Sequence, residues 1–118
     1  VHSHFTRQNA ENGFAFIGDY SQTIKDTAAA NKVALLDIEP ETIALANRGD
    51  ANHWKQYWLV IDPKRYPYYQ DQGGSLTKPD STHFQQKGAI AVAEIVADSI
   101  RQDDSLRPLA DYLLKKKH

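Results

Sequence analysis

Two residues in the C-terminal half of the chain, Asp80 and His83, have the types and the spacing of an acid–base pair. The carboxylate of Asp80 can accept a hydrogen bond from Nδ1–H of His83 and hold Nε2 outward as a base, which is the orienting half of a Ser-His-Asp triad. Imidazole titrates near neutral pH, which suits proton transfer. The alternative is that Asp80 caps a helix and His83 is a surface residue. Asp50 and His53 repeat the spacing, so the spacing alone identifies no site.

The pair stands at the start of a long predicted helix. Pro79 closes the preceding loop, because its ring is incompatible with a helix that starts one residue earlier. Apolar residues then recur at helical spacing from Ala89 to Ile100, which makes one face apolar throughout. Residues 80–101 are therefore predicted to form a helix that packs on another element and presents the pair in its first turn.

The sequence around the pair resembles a known motif. The string Asp-x-Thr-His-Phe-x-x-x-Gly-Ala-x-x-x-Ala, which begins at Asp80, is similar to the last motif block of the SGNH (GDSL) hydrolases, and most of all to the rhamnogalacturonan acetylesterase branch. The resemblance covers the chain to about Ile100 and is most specific between Asp80 and Ala93. It implies a serine esterase that forms an acyl-enzyme, with Asp80 and His83 as the acid and base of its triad.

The same resemblance implies an α/β fold. We expect the C-terminal part of a three-layer α/β/α domain, flavodoxin-like with a parallel sheet, and incomplete without the N-terminal half. That half carries the nucleophilic serine and the oxyanion glycine and asparagine of the family. The expected partner is therefore the missing half or, failing that, a second copy of this chain. Location outside the cell or in the periplasm is also expected from the resemblance.

Composition bounds the function classes. The 118 residues are 41% hydrophobic and 25% charged, which is ordinary for one small globular domain. A net charge of −1 gives no reason to expect nucleic acid or an anionic membrane as a partner. The absence of cysteine excludes disulfides and thiolate metal sites, and no metal or organic cofactor is implied. The chain contains no methionine and starts at Val1, so we expect a piece of a longer polypeptide.

Residues 1–61 are expected to form an αβ unit followed by helices. A helix is predicted from about residue 20 to 31, and its inner face is expected to carry Tyr20, Ile24, Thr27 and Ala28. The apolar run Val33–Ile38 suits a strand that is buried in a parallel sheet. Pro40 then sits at a natural first position of a second helix that continues to Asn47.

A motif at the start of the first helix contains a possible nucleophile. Gly18-Asp19-Tyr20-Ser21 resembles the Gly-Asp-Ser nucleophile motif of GDSL enzymes with Tyr20 inserted. We favour the alternative that Asp19 caps the helix. Ser21 stays the internal candidate for the nucleophile.

Residues 62–79 are predicted to form a loop on the substrate side. Two prolines and two glycines between residues 62 and 75 prevent regular structure there. Tyr66, Tyr68 and Tyr69 offer flat, hydrogen-bonding faces of the kind that bind sugar rings, and Arg65 supplies positive charge suited to uronic acids. The alternative is that the tyrosines fix the loop to the surface.

The N-terminal residues supply one more candidate contact. His2 and His4 alternate around Ser3, and two histidines without a third ligand are a weak metal signal, so polar loop residues are the preferred interpretation. Because the resembled family has its active-site rim here, His4 is assigned to substrate binding. At the other end, residues 102–118 are predicted to form a closing helix and a solvated tail.

Three functions are compatible with these patterns. The first is a carbohydrate esterase that removes acetyl groups from pectic polysaccharide, in which these residues alone are inactive. The second is an SGNH esterase or lipase that acts on another acyl ester, although a lipid site would favour an apolar loop over Arg65 and the tyrosines. The third is a non-catalytic binding or structural domain in which Asp80 and His83 only begin a helix.

Overall fold

The computed structural model describes residues 6–9, 13–15, 19–70, 73–80 and 82–113. Three short 3-10 turns cover His53–Gln56, Pro67–Tyr69 and Asp104–Leu106. The strands and α-helices, in chain order, are β1 (Thr6–Asn9), β2 (Gly13–Ala15), α1 (Tyr20–Ala30), α2 (Glu39–Asn47), α3 (Gln86–Gln102) and α4 (Arg107–Ala110).

The predicted three-layer α/β/α fold with a parallel sheet is wrong for the part of the chain that the structure describes. Strands β1 and β2 pair antiparallel in a two-stranded sheet. Beyond that pair, the strand-type contacts of the described residues are two isolated bridges, Trp58 with Phe84 and Ile61 with Ser75. The described regular structure is otherwise helical.

The predicted strand Val33–Ile38 has no regular secondary structure. The amide of Ile38 donates to the Leu36 carbonyl at 3.1 Å, and the amide of Val33 donates back to the Ala28 carbonyl at 2.9 Å. These local bonds use amides that a sheet would pair with a neighbouring strand. Val33 is 60% exposed, whereas a central parallel strand is buried on both faces.

Helices α1 and α2 occupy the predicted places. On the predicted inner face of α1, Ala28 is buried and Ile24 is half-buried, but Thr27 is exposed. Tyr20 is 76% exposed, so it packs on nothing substantial. Polar contacts join the two helices instead. The Ser21 hydroxyl donates to the Glu39 carboxylate, and Lys25 Nζ lies 3.0 Å from Asp37 and 3.4 Å from Glu39. The hydrogen bond to Asp37 is the main cause of a raised pKa at Lys25.

The core lies between α2, residues 54–60 and α3. Trp58 is 1% exposed, and its ring centroid is 5.5 Å from that of Phe84 and 6.3 Å from that of Tyr57. Large aromatic side chains contribute most of the buried apolar area in a core of this size. Its buried members are Ile38, Leu45, Ala46, Trp54, Tyr57, Trp58, Val60 and Val92.

Helix α3 begins later than predicted, at Gln86 instead of near Asp80. The Asp80 carboxylate accepts the backbone amides of Thr82 and His83, and this side-chain turn competes with helix formation. The predicted closing helix is also shorter, since α4 has 4 residues. Among the described residues, no helix is both long and apolar enough to cross a membrane.

One face of α3 lies open as an apolar groove. It is lined along the helix from Ala89 to Ile100, with Phe84 and Leu113 completing its walls. The predicted apolar stripe therefore exists. Val92 on it is buried, Val96, Ala97 and Ile100 are half-buried, and Ala93 is exposed.

Candidate active site

Asp80 and His83 form the hydrogen-bonded pair that their spacing predicts. His83 Nδ1 lies 2.7 Å from Asp80 Oδ2. An ionised carboxylate accepts hydrogen bonds and has none to donate, so Nδ1 carries the hydrogen and Nε2 is left as a base. The Asp80 side chain is 22% exposed and that of His83 is 72% exposed, so the pair rests on the surface with the ring open to an incoming group.

Asp80 is kept ionised by its surroundings. Burial raises the pKa of its carboxyl, but hydrogen bonds from the His83 amide, the His83 ring and the Thr82 amide outweigh that effect and lower the pKa below 3.8. The amides of Thr82 and His83 lie 2.7 and 3.0 Å from Oδ1. One oxygen therefore builds the turn while the other orients the imidazole.

The second Asp-x-x-His string does not form such a pair. Asp50 Oδ1 accepts the Asn52 amide at 2.7 Å, and His53 Nδ1 lies 3.4 Å from the side-chain amide of Gln56. The His53 ring packs on Tyr57, with 5.4 Å between ring centroids. Its Nε2 is buried without a hydrogen-bond partner among the described residues. His53 is therefore a packing residue and not an accessible base.

A single backbone position holds both ends of the Asp80–His83 turn. The carbonyl of Leu59 accepts the Asp80 amide at 3.1 Å, and the amide of Leu59 donates to the His83 carbonyl at 2.8 Å. The neighbouring bridge between Trp58 and Phe84 continues this antiparallel contact. The pair is thus carried by residues 57–61, of which Tyr57, Trp58 and Val60 belong to the core.

The glycine of the motif allows α3 to approach this segment. A Cβ at Gly88 would lie 2.0 Å from the carbonyl oxygen of Tyr57, which no side chain permits. The Gln85 amide also donates to that carbonyl at 2.8 Å. Lys87 also contacts this segment. Its Nζ lies 2.6 Å from Gln56 Oε1 and 5.1 Å from the Tyr57 ring centroid.

The tyrosines of the predicted substrate loop are accessible. Tyr66 is 48% exposed with the Arg65 guanidinium 5.4 Å from its ring centroid, and Tyr68 is 75% exposed. Tyr68 and Tyr69 meet edge to face at 5.4 Å, and Tyr69 is half-buried. Asp62 orders the start of the loop through amides of residues 64–66. His4 lies outside the described residues.

The loop and the pair share one support. The loop leaves after Ile61 and returns to it, because Ile61 donates to the Gly74 carbonyl at 2.6 Å and accepts the Leu76 amide at 3.2 Å. Ile61 is two residues from Leu59, which brackets the pair. The structure therefore anchors the tyrosine loop and the Asp80–His83 turn to the same short segment.

The described serines are all engaged away from His83. Ser21 donates to Glu39, and Ser99 donates to the Ile95 carbonyl at 2.9 Å. Ser75 Oγ pairs with Thr77 Oγ1 at 3.2 Å, and Ser105 Oγ donates to Asp103 at 2.6 Å. The internal candidate Ser21 is also buried. No serine among the described residues is therefore placed as a nucleophile for this base.

Two residues that support the Asp80–His83 pair were not identified from the sequence. Gly88 is part of the quoted motif, but its packing role needs the position of Tyr57, 31 residues earlier, to be known. Gln85 looks like an ordinary polar residue before a helix, and nothing in its immediate sequence marks it. Within the described ranges, no cluster of three histidine or acidic side chains has the arrangement of a metal site.

Comparison with known proteins gives one relevant similarity. The chain is 29% identical over 100 residues, which are 85% of its length, to rhamnogalacturonan acetylesterase RhgT of Bacillus subtilis (strain 168). It spans 40% of the length of that protein. No protein-family model matches, and no solved structure matches. The chain is thus distantly similar to part of this acetylesterase.

Proposed function

We propose that this chain supplies the acid and base of a Ser-His-Asp triad in an esterase that removes acetyl groups from pectic polysaccharide. The observation that carries the proposal is the 2.7 Å bond between His83 Nδ1 and Asp80 Oδ2, made by one of two Asp-x-x-His strings and not by the other. The similarity to a rhamnogalacturonan acetylesterase supports the substrate class.

The chemistry follows from the free Nε2 of His83. A serine hydroxyl loses its proton to Nε2 as its oxygen attacks the acetyl carbonyl carbon, and Asp80 stabilises the imidazolium that forms. The sugar oxygen leaves with the proton returned by Nε2, and an acetyl-serine remains. Water then attacks this ester with His83 as the base again, which releases acetate and restores the serine.

We propose that the nucleophile and the oxyanion donors come from another segment of polypeptide. Each described serine is paired elsewhere, and the chain spans 40% of the esterase that it resembles. The open groove on α3 gives such a segment an apolar surface, and its wall residue Phe84 directly follows His83. We assign the groove to the segment that carries the serine.

The tyrosine loop is proposed as the sugar-binding wall. Arg65 and the exposed faces of Tyr66 and Tyr68 offer a cation and stacking surfaces together, which fits an acidic sugar polymer better than an acyl chain. Removing Arg65 should raise KM for acetylated rhamnogalacturonan and leave hydrolysis of p-nitrophenyl acetate unchanged. Equal KM values on the polymer would exclude Arg65 from substrate binding.

The test of the proposal compares the two histidines in the complete gene product that contains this chain. We expect His83→Ala to slow p-nitrophenyl acetate hydrolysis by about 100-fold or more, the size of a lost general base. The matched control is His53→Ala, which removes the imidazole of the other string and should retain the rate. Equal rates for wild type and His83→Ala would reject the esterase proposal and favour a non-catalytic domain.

A further inference from the structure

The side chain of Gln85 connects three carbonyl groups of one irregular segment. Its Nε2 lies 2.8 Å from the Lys55 carbonyl oxygen, 2.6 Å from that of Trp58 and 3.5 Å from that of Val60. A side-chain amide has two N–H groups, so the two short contacts use both of them and the third is a weak shared contact. The nitrogen must face this way, because an amide oxygen would oppose three acceptors.

Gln85 occupies a position where its side chain is expected to do something else. It is the residue that precedes α3, with φ −77° and ψ 170°, yet its side chain makes no capping bond to the helix. Its own backbone amide donates to the Tyr57 carbonyl at 2.8 Å. Main chain and side chain of Gln85 are thus both directed at residues 55–60.

The position that Gln85 fixes is Leu59. Two of the carbonyls that it contacts belong to Trp58 and Val60, on either side of Leu59. Leu59 in turn holds the Asp80 amide and the His83 carbonyl. Since the His83 side chain is 72% exposed, little besides Asp80 and this backbone support restrains the ring.

We propose that Gln85 is a positioning residue for the Asp80–His83 pair, acting through Leu59 by donating to the carbonyl of Trp58, the residue directly before it. An effect of Gln85 on catalysis rests on the proposed function, whereas its positioning of the imidazole does not. Loss of the two donors frees Leu59, loosens both ends of the turn and lowers the population of the Nδ1–H···Oδ2 bond.

The test uses protein labelled with 15N in histidine, so that the ring signals report the tautomer directly. In the wild type we expect the His83 ring, assigned by its absence in His83→Ala, to be mainly the Nδ1–H tautomer. In Gln85→Glu, which keeps the shape but replaces donors by acceptors, we expect a mixture of tautomers and amide exchange at least 10-fold faster at Leu59 and Asp80. The matched control is Gln86→Ala at the next position, which should leave both signals unchanged.

Gln85→Asn keeps the amide on a shorter side chain. It tests the same positioning role if the Gln85→Glu protein does not fold. It should shift the tautomer in the same direction with less effect. A wild-type His83 signal in a folded Gln85→Glu or Gln85→Asn protein would overturn the proposal. An esterase assay run in parallel separates the two ideas: absence of activity in the wild type rejects the proposed function, while the ring signals still report on Gln85.

Discussion

Asp80 uses its two carboxylate oxygens for different purposes. Oδ1 accepts two backbone amides and forms the turn, while Oδ2 accepts the ring of His83. Each of these bonds requires the ionised carboxylate, so local folding and the orientation of the base depend on the same charge. Protonation of Asp80 therefore weakens the turn and the pair together.

This dependence predicts how stability varies with pH. The pKa of Asp80 in the folded chain lies below its ordinary value of 3.8, so the ionised group stabilises the fold fully above that pH. The stabilisation is lost as the pH falls through the lowered pKa. We expect the difference in unfolding free energy between wild type and Asp80→Asn to be constant near neutrality and to shrink below 3.8, measured by urea unfolding at several pH values. A difference that is independent of pH down to complete protonation would contradict the assignment of these bonds.

The contact between Asp80 and His83 could be predicted from the sequence, because the two residues are close together in the chain. Asp80 and His83 lie within one turn, so their spacing and motif were enough to predict the contact. Gln85 was not predictable, because its acceptors are 25 to 30 residues earlier in the chain. A glutamine before a helix has no pattern that indicates distant carbonyls.

Among the elements, the approach of α3 to residues 55–60 has the strictest steric requirement. The first turn of α3 touches the Tyr57 backbone at Gly88, where any Cβ would overlap the carbonyl oxygen. The helix cannot shift away freely, because Gln85 and Lys87, just before that glycine, bind the same segment. The placement of α3 thus depends on one missing methyl group.

We expect Gly88→Ala to destabilise the protein. Alanine favours helix formation by about 1 kcal/mol over glycine, but the overlap with Tyr57 forces the helix outward, and overpacking costs about 1–3 kcal/mol or more. The melting temperature should fall, and the His83 ring signal should change with it. The control is Gly73→Ala, whose Cβ would meet no atom within 4 Å. Equal melting temperatures for the two variants would show that α3 does not approach as described.

Helices were predicted better than strands, for a physical reason. Helical bonds join residues four apart, so α1, α2 and the body of α3 follow from periodicity and from Pro40. A strand needs a partner that sequence spacing does not supply, and the amides of Val33 and Ile38 found local acceptors instead. The start of α3 was misplaced because the side chain of Asp80 competes with the helix for the same amides.

At the scale of the whole molecule, the most prominent surface feature is the apolar groove on α3. All of its lining residues are apolar, and an open apolar face marks an interaction surface or an aggregation hazard. The core beneath it is small, with one buried member, Val92, contributed by α3. The open part of this apolar stripe is therefore a candidate surface for association.

We therefore expect these 118 residues alone to self-associate or to bind an apolar dye such as ANS, measured by sedimentation velocity and fluorescence. Ala93→Glu places a charge in the groove and should reduce both signals; because Ala93 is exposed, the single chain accommodates the change. Gln86→Glu, outside the groove, adds the same charge as a control. A monodisperse monomer that melts cooperatively and binds no dye would contradict this prediction.

The tyrosine loop starts and ends at Ile61. This arrangement has a consequence for how the loop can change in sequence. Both ends of the loop are held by hydrogen bonds at Ile61. The tip of the loop can therefore be lengthened, shortened or exchanged without straining the His83 ring. Under the proposed function, changes in substrate recognition would then be confined to this loop, while Asp80 and His83 keep their positions. Grafting a foreign tip between residues 66 and 70 is accordingly the place to begin redesign of selectivity.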